Sequence, residues 1–289
     1  MRIPALYVTI TVTTIAATSL AGAIIAASPA EAPVMVPAPY VSRTPAAATP
    51  EPRATTHTSR EGARKVLLSE DVAPAPVTSG TGWQLISADQ TTSLAPTTYT
   101  IQFDSTAART KLTPYLKIAA ANTQAQTPGV KFVVSTTLQK RVTTGCQKAG
   151  TIVVSLEYRP MGKKGFSWGG NCYRTTDHSL FAGVMRIDTE WFYSHWFSTN
   201  ATTNTYRIRN SVTHEFGHAI GLGHPNRDLN HDGKIADYEC KLNTDKTRPL
   251  MCSPNGGAVT KAGAGNYTAL DIPGLKALVA NYSLVARSA

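Results

Sequence analysis

The chain has 289 residues, 42% hydrophobic and only 16% charged, a composition that makes a globular core feasible and a length that allows one or two domains. Its net charge of +10 lies mostly from Thr81 onward, and no nucleic-acid-binding motif accompanies it, which sets nucleic acid aside as a partner. Basic clusters such as Lys140-Arg141 and Lys163-Lys164 could favour acidic substrates or an anionic surface, although solvated loop charge is the simpler reading.

The N-terminus reads as a targeting segment. After Arg2 no charged residue occurs until Glu31, and Ala5 to Ala27 is apolar or small. With small-residue cleavage sites near Ala30-Glu31-Ala32, residues 1–32 fit a secretory signal peptide and predict a secreted protein. The stretch is also long enough to span a bilayer, so an uncleaved anchor is the alternative, and only then is a membrane partner expected. Residues 33–80 are rich in Pro, Ala and Thr and cannot bury enough apolar surface to offset ordering, so they read as linker or pro-segment, with a short helix near Arg60–Glu70. The folded domain is expected over 81–289.

Within it, Tyr99–Phe103 alternates as a first strand, and Ser105–Asn122 is helical in character. Pro114 leaves two arrangements open there: a helix bent at the proline, or one that starts with Thr113 as its cap. Alternation at Val130, Phe132 and Val134, then at Ile152, Val154 and Leu156, gives two more strands, and Leu180–Ile187 a fourth. The glycine-rich Pro160–Asn171 reads as a loop. Trp191, Phe192, Tyr193, Trp196 and Phe197 form an aromatic cluster best read as core packing. The next helix is expected to begin near Asn204 or Thr205, either of which can cap it. Cys146, Cys172, Cys240 and Cys252 are an even count, which in an exported protein predicts two disulfides. Three pairings exist, and the local one, Cys146 with Cys172 and Cys240 with Cys252, is expected.

That helix carries His214-Glu215-Phe216-Gly217-His218-Ala219-Ile220-Gly221-Leu222-Gly223-His224. Residues four apart share a helix face, so His214 and His218 can hold one metal ion. Glu215 is rotated by about 100° from His214, beside the ion rather than on it, where it can take a proton from water. Gly221 allows the chain to leave the helix at positive φ and bring His224 back as a third nitrogen ligand. Three protein ligands with a fourth position open describe a catalytic zinc site. Directly after it, Asp228 to Glu239 satisfies the calcium-loop pattern D-x-[DN]-x-[DN]-G-x₅-E. By that pattern Asp228, Asn230, Asp232 and Glu239 ligate Ca2+ through side chains and Lys234 through its carbonyl, with Ile235 packed inward. The loop resembles an EF-hand loop but lacks the entering helix, because His224-Pro225 stands in its place.

The histidine stretch resembles the zinc signature of the metzincin metallopeptidases, H-E-x-x-H-x-x-G-x-x-H, with all five signature residues present and matrixin-like residues between them. The likeness covers Tyr99–Tyr282 loosely and is specific in Ile208–His224 and Leu250–Leu278. It implies an α+β fold of the α/β-type metzincin kind: a twisted mixed sheet of about five strands, a zinc-binding active-site helix, a second helix on the sheet and a C-terminal helix opening at Leu270–Leu278. It also implies that Met251 forms a hydrophobic Met-turn floor, that Ser253 leaves no fifth ligand, and that Met251–Tyr267 walls a specificity pocket. Phe181–Met185 would be the exposed edge strand that pairs with an extended substrate. The function implied is a zinc endopeptidase with Glu215 as general base, acting on protein or peptide substrates as a monomer. The alternatives are a metal-dependent amidase acting on cell-wall peptides and a zinc-bearing binding protein without proteolysis.

Overall fold

The computed structural model describes residues 75–88 and 90–285. The signal segment, the helix expected near Arg60–Glu70 and most of the Pro/Ala/Thr-rich stretch lie outside the described residues. The described chain opens with a two-stranded antiparallel ribbon, β1 (Ser79–Gly80) and β2 (Trp83–Gln84). Val77 is tied through both its N–H and its carbonyl to the Asn281 side chain, so the expected boundary between residues 80 and 81 falls inside this ribbon.

A five-stranded sheet follows, from β3 (Thr98–Phe103), β4 (Lys131–Leu138), β5 (Thr151–Glu157), β6 (Trp168–Tyr173) and β7 (Leu180–Asp188), in the order β4-β3-β5-β7-β6. All neighbours are parallel except β6, which runs antiparallel along β7. The alternating residues Tyr99, Ile101 and Phe103 are fully buried, as period-two patterning on a half-covered sheet requires. Two expectations are corrected here. Trp168–Asn171, expected as loop, belongs to β6. Phe181–Met185 is no edge, because β7 lies between β5 and β6; the free edge on that side is β6.

Helix α1 (Thr106–Gln124) is capped by Ser105, whose hydroxyl accepts from the Ala108 N–H at 3.2 Å. It runs through Pro114 instead of starting there. Its buried side, with Leu112, Leu116 and Ala119, lies on β3 and β4. Helix α2 (Ala201–Ile220) packs beside α1 and over β6 and β7, burying Ile208, Val212, Phe216 and Ile220. Asn200 caps it, one turn earlier than expected, while Asn204 is spent on the Phe197 N–H at 2.7 Å. Helix α3 (Ile272–Val285) closes the described chain. Cys146–Cys172 and Cys240–Cys252 are bonded, as the local pairing predicts. Among the described residues no helix is long and apolar enough to cross a membrane.

Phe216 joins α2 to the sheet by an edge-to-face contact with Phe132, centroids 5.2 Å apart. Removing a fully buried ring leaves a cavity, so Phe216→Ala should cost about 3–5 kcal/mol of unfolding free energy in urea titrations of the oxidised protein. A loss under about 1 kcal/mol would mean that α2 is not anchored through this side chain.

Candidate metal centre

Helix α2 stops at Gly221, whose φ of +115° only glycine adopts without strain. Its N–H bonds to the His218 carbonyl at 3.2 Å, and the Leu222 N–H to the Gly217 carbonyl at 2.9 Å, which closes the helix and reverses the chain. The N-terminal ribbon then grips the reversal. Ile86 N–H bonds to Gly221 O at 2.8 Å and Gly223 N–H to Gln84 O at 2.9 Å, and the Gln84 side-chain amide donates to the His224 carbonyl. Sequence reasoning placed His224 correctly but missed this strap, since nothing local marks Gln84 as its partner.

The three histidines meet. Their Nε2 atoms lie 3.0 Å (His214–His218), 3.0 Å (His214–His224) and 2.8 Å (His218–His224) apart. The opposite ring nitrogen of His214 donates to Leu250 O at 2.9 Å, and that of His218 to Leu222 O at 2.8 Å. Each neutral imidazole carries one proton, so those two bonds leave both Nε2 atoms as bare lone pairs facing each other at 3.0 Å. No hydrogen bond between these two rings can relieve that approach, whereas a cation satisfies both lone pairs and the His224 nitrogen at once. An ion about 2.0–2.1 Å from each nitrogen, the usual zinc–imidazole distance, fits over a triangle of this size. Among the described residues this is the only group of three or more His, Cys, Asp or Glu side chains whose ligand atoms converge. The group can hold a metal ion.

Burial sets the protonation. Desolvation pushes His218 down to about 4 and His224 to about 3, and holds His214 well below the ordinary imidazole range, so all three are neutral ligands near pH 7. The same burial pushes Glu215 up to about 8, while the Gly169 N–H that donates to it works the other way. Gly169 belongs to β6, and the approach there is close. A Cβ at 169 would stand 2.2 Å from the Glu215 backbone oxygen and 2.9 Å from the His218 Cβ. Asn171 adds a bond from its amide to the His218 carbonyl at 2.9 Å. Neither residue was singled out from sequence; the paired glycines Gly169-Gly170 were the available signal.

Below the helix, Met251 is buried, and its sulfur touches the Cα side of Gly217, where an added Cβ would come within 2.4 Å. The turn that carries it is held by Asp271. This buried carboxylate accepts from the N–H groups of Leu250 at 2.7 Å and Met251 at 3.0 Å, and from Thr268. Burial raises its pKa, and these donors oppose the rise. The Leu250 carbonyl is the one that fixes His214, so Asp271 reaches the centre through a single residue. Its only sequence signal is a place just ahead of α3.

The calcium pattern is not assembled in the same way. Asp228, Asn230, Asp232, Lys234 and Glu239 lie on a largely exposed loop, and their carboxylates do not converge as the histidines do. Instead they accept from the loop's own N–H groups: Asp228 from Asp232 and Gly233, Asp232 from Lys234, and Glu239 from Leu229, Asn230 and Ala236. Ile235, expected to pack inward, is 58% exposed, because no entering helix is present to cover it. In the aromatic cluster Trp191 is buried and bonds through its indole N–H to Gly165 O, whereas Tyr193 is exposed. No protein-family model matches the chain, and no curated protein matches it.

Removing the metal exposes these shifts as a pH dependence. Below the ordinary imidazole value of 6.5 the unfolded chain takes up three protons on these rings that the folded, metal-free chain refuses. Glu215 opposes this with one proton that the folded state already holds. The balance favours unfolding as pH falls, so the melting temperature of chelator-treated protein should drop from about pH 6.5 towards 4.5. A melting temperature flat or rising over that window would contradict the buried, neutral assignment.

Proposed function

We propose that the chain is an exported zinc-dependent endopeptidase of the metzincin type, matrixin-like in its active-site helix. The observation that carries this reading is the pair of unprotonated Nε2 atoms of His214 and His218 facing each other and His224, with the Glu215 carboxyl buried alongside. Bound there by His214, His218 and His224, zinc would supply Lewis acidity towards a peptide carbonyl and towards water. Glu215 accepts a proton from the attacking water on its carboxylate and returns it to the departing amine. In the metal-free chain burial pushes this carboxyl up to about 8; a cation bound beside it would lower it again, favouring the carboxylate that accepts the proton. Met251 supplies an apolar support beneath the helix. The outer edge of β6, which carries Gly169 against Glu215, offers unpaired backbone groups to an extended peptide.

Two disulfides fit an oxidising compartment, in keeping with export of a protein whose substrates are proteins or peptides. A binding protein without hydrolysis has no use for a buried Glu215 beside its ligands, which counts against that alternative. An amidase acting on cell-wall peptides would use the same groups, and a substrate panel distinguishes it.

Glu215→Gln keeps the ligands and removes the base. It should retain about one zinc per chain while casein or gelatin hydrolysis falls at least about 10²–10⁴-fold. Chelation should abolish the wild-type activity and added zinc restore it. Near-normal turnover by Glu215→Gln, or wild-type activity indifferent to chelation, would defeat the assignment.

A further inference from the structure

One turn of α2 before His214 stands Asn210. Asn210 and Arg207 line a cavity of about 270 Å³, whose lining also includes Tyr238, the exposed Lys246 and Arg248, and residues 255–259. The wall is part of the frame that holds the histidines. Asn210 donates to the carbonyls of Gly256 at 3.2 Å and Ala258 at 3.1 Å and accepts from the Gly265 N–H at 2.7 Å. The Gly256 N–H bonds in turn to the Leu250 carbonyl, the acceptor of the His214 ring.

Three cationic side chains line this space, and no carboxylate does. The ion pairs among the described residues are Arg141–Glu157, Arg159–Glu190 and Arg186–Glu157, so none neutralises Arg207, Lys246 or Arg248. Asp245, beside Lys246 in the chain, is occupied by the Thr247 N–H at 2.9 Å and hydroxyl at 2.6 Å. Arg248 donates from its Nε to the Tyr238 carbonyl at 3.0 Å and lies over the Tyr238 ring, 5.2 Å from its centroid, with no carboxylate on its terminal nitrogens. Arg207 Nε is buried and has no hydrogen-bond partner. That nitrogen is packed away from the open space, so the groups available to a ligand there are the outer guanidinium nitrogens and the lysine ammonium. Three cations around one cavity with no carboxylate among them favour an anion, and a planar guanidinium matches a carboxylate.

Resting on the peptidase reading, we propose that this cavity is a specificity subsite that takes the carboxylate of a substrate Asp or Glu side chain. Asn210 stands four positions before His214 on the helix, a rise of about 6 Å, and an extended peptide advances about 3.3 Å per residue. The acidic residue therefore falls within about three positions of the hydrolysed bond. The excess of basic over acidic residues works in the same direction, since it attracts acidic substrates to the surface.

The test is a cleavage profile of the metal-loaded protein on a C-terminally amidated peptide library, followed by matched Glu and Gln peptides. Asp or Glu should be enriched at one position near the cleaved bond, with kcat/KM for Glu exceeding that for Gln about ten- to a hundredfold. The ratio should fall towards one in Arg207→Met and in Lys246→Met, two substitutions on separate segments, and part of it should survive in Arg207→Lys. A wild-type preference for apolar or basic residues at every such position overturns the proposal, as does a Glu/Gln ratio untouched by both Met variants. A preference seen only with free-carboxylate peptides assigns the cavity to a chain terminus and likewise overturns it. If no peptide is cleaved, the peptidase reading fails by itself. Titration calorimetry with N-acetyl-glutamate methylamide and its glutamine counterpart then decides the cavity: binding of the Glu compound alone, lost in Arg207→Met, supports it, and equal or absent binding of both overturns it.

Discussion

Two lone pairs held 3.0 Å apart are a repulsion that the protein maintains rather than relieves. The Leu250 and Leu222 carbonyls keep the protons of His214 and His218 on the far side of each ring, and burial keeps further protons away. The remaining architecture can be understood as what holds that arrangement in place. Helix α2 supplies two rings on one face, Gly221 reverses the chain, and the β2 segment clamps the reversal at Gln84. Asp271 fixes the turn that presents Leu250. A metal ion converts the repulsion into attraction, so the folded chain is preorganised for it at the expense of its own metal-free stability.

The parts of this centre that depend on near neighbours in the chain could be read from the sequence. Four-residue spacing gives His214 and His218 a common face, and a glycine three residues after His218 gives the return of His224. Cys146–Cys172 and Cys240–Cys252 pair locally. Four strands and the helices were legible from period two and period 3.6. What escaped depends on distant partners: Gln84 acts on His224 across 140 residues, and Asn171 on His218 across 47. Local chemistry also misled. Asn200 and Asn204 are equally good caps, and which one serves was decided by the demand of Phe197 for an acceptor. Ile235, placed inward by the loop pattern, is exposed in the fold.

Strand β6 shows why a functional element can be hard to read. Its Gly169-Gly170 pair lowers strand propensity, and the residues around it looked like loop. Yet any side chain at 169 would strike the backbone of Glu215. The absence of a Cβ lets the strand lie against α2, so that the Gly169 N–H can reach the Glu215 carboxyl. The property that hides the strand from pattern recognition is the one that brings it to the site.

A strand weakened in this way must be held by something other than its own propensity. Cys172, in β6, is bonded to Cys146 in the segment between β4 and β5, and Asn171 is tied both to the His218 carbonyl and to the Thr91 hydroxyl at 2.5 Å. On the opposite side Cys252, next to Met251, is bonded to Cys240. The two disulfides thus fall on the two segments that flank the histidine group, one at the sheet edge and one at the turn beneath the helix. The core between them, from Tyr99 to Phe216, is packed by apolar side chains and needs no such staple. Covalent bonding is placed where a glycine-weakened strand and an irregular turn have little propensity to hold their own shape, so the shape of the centre depends on the oxidation state of the compartment more than the stability of the sheet does.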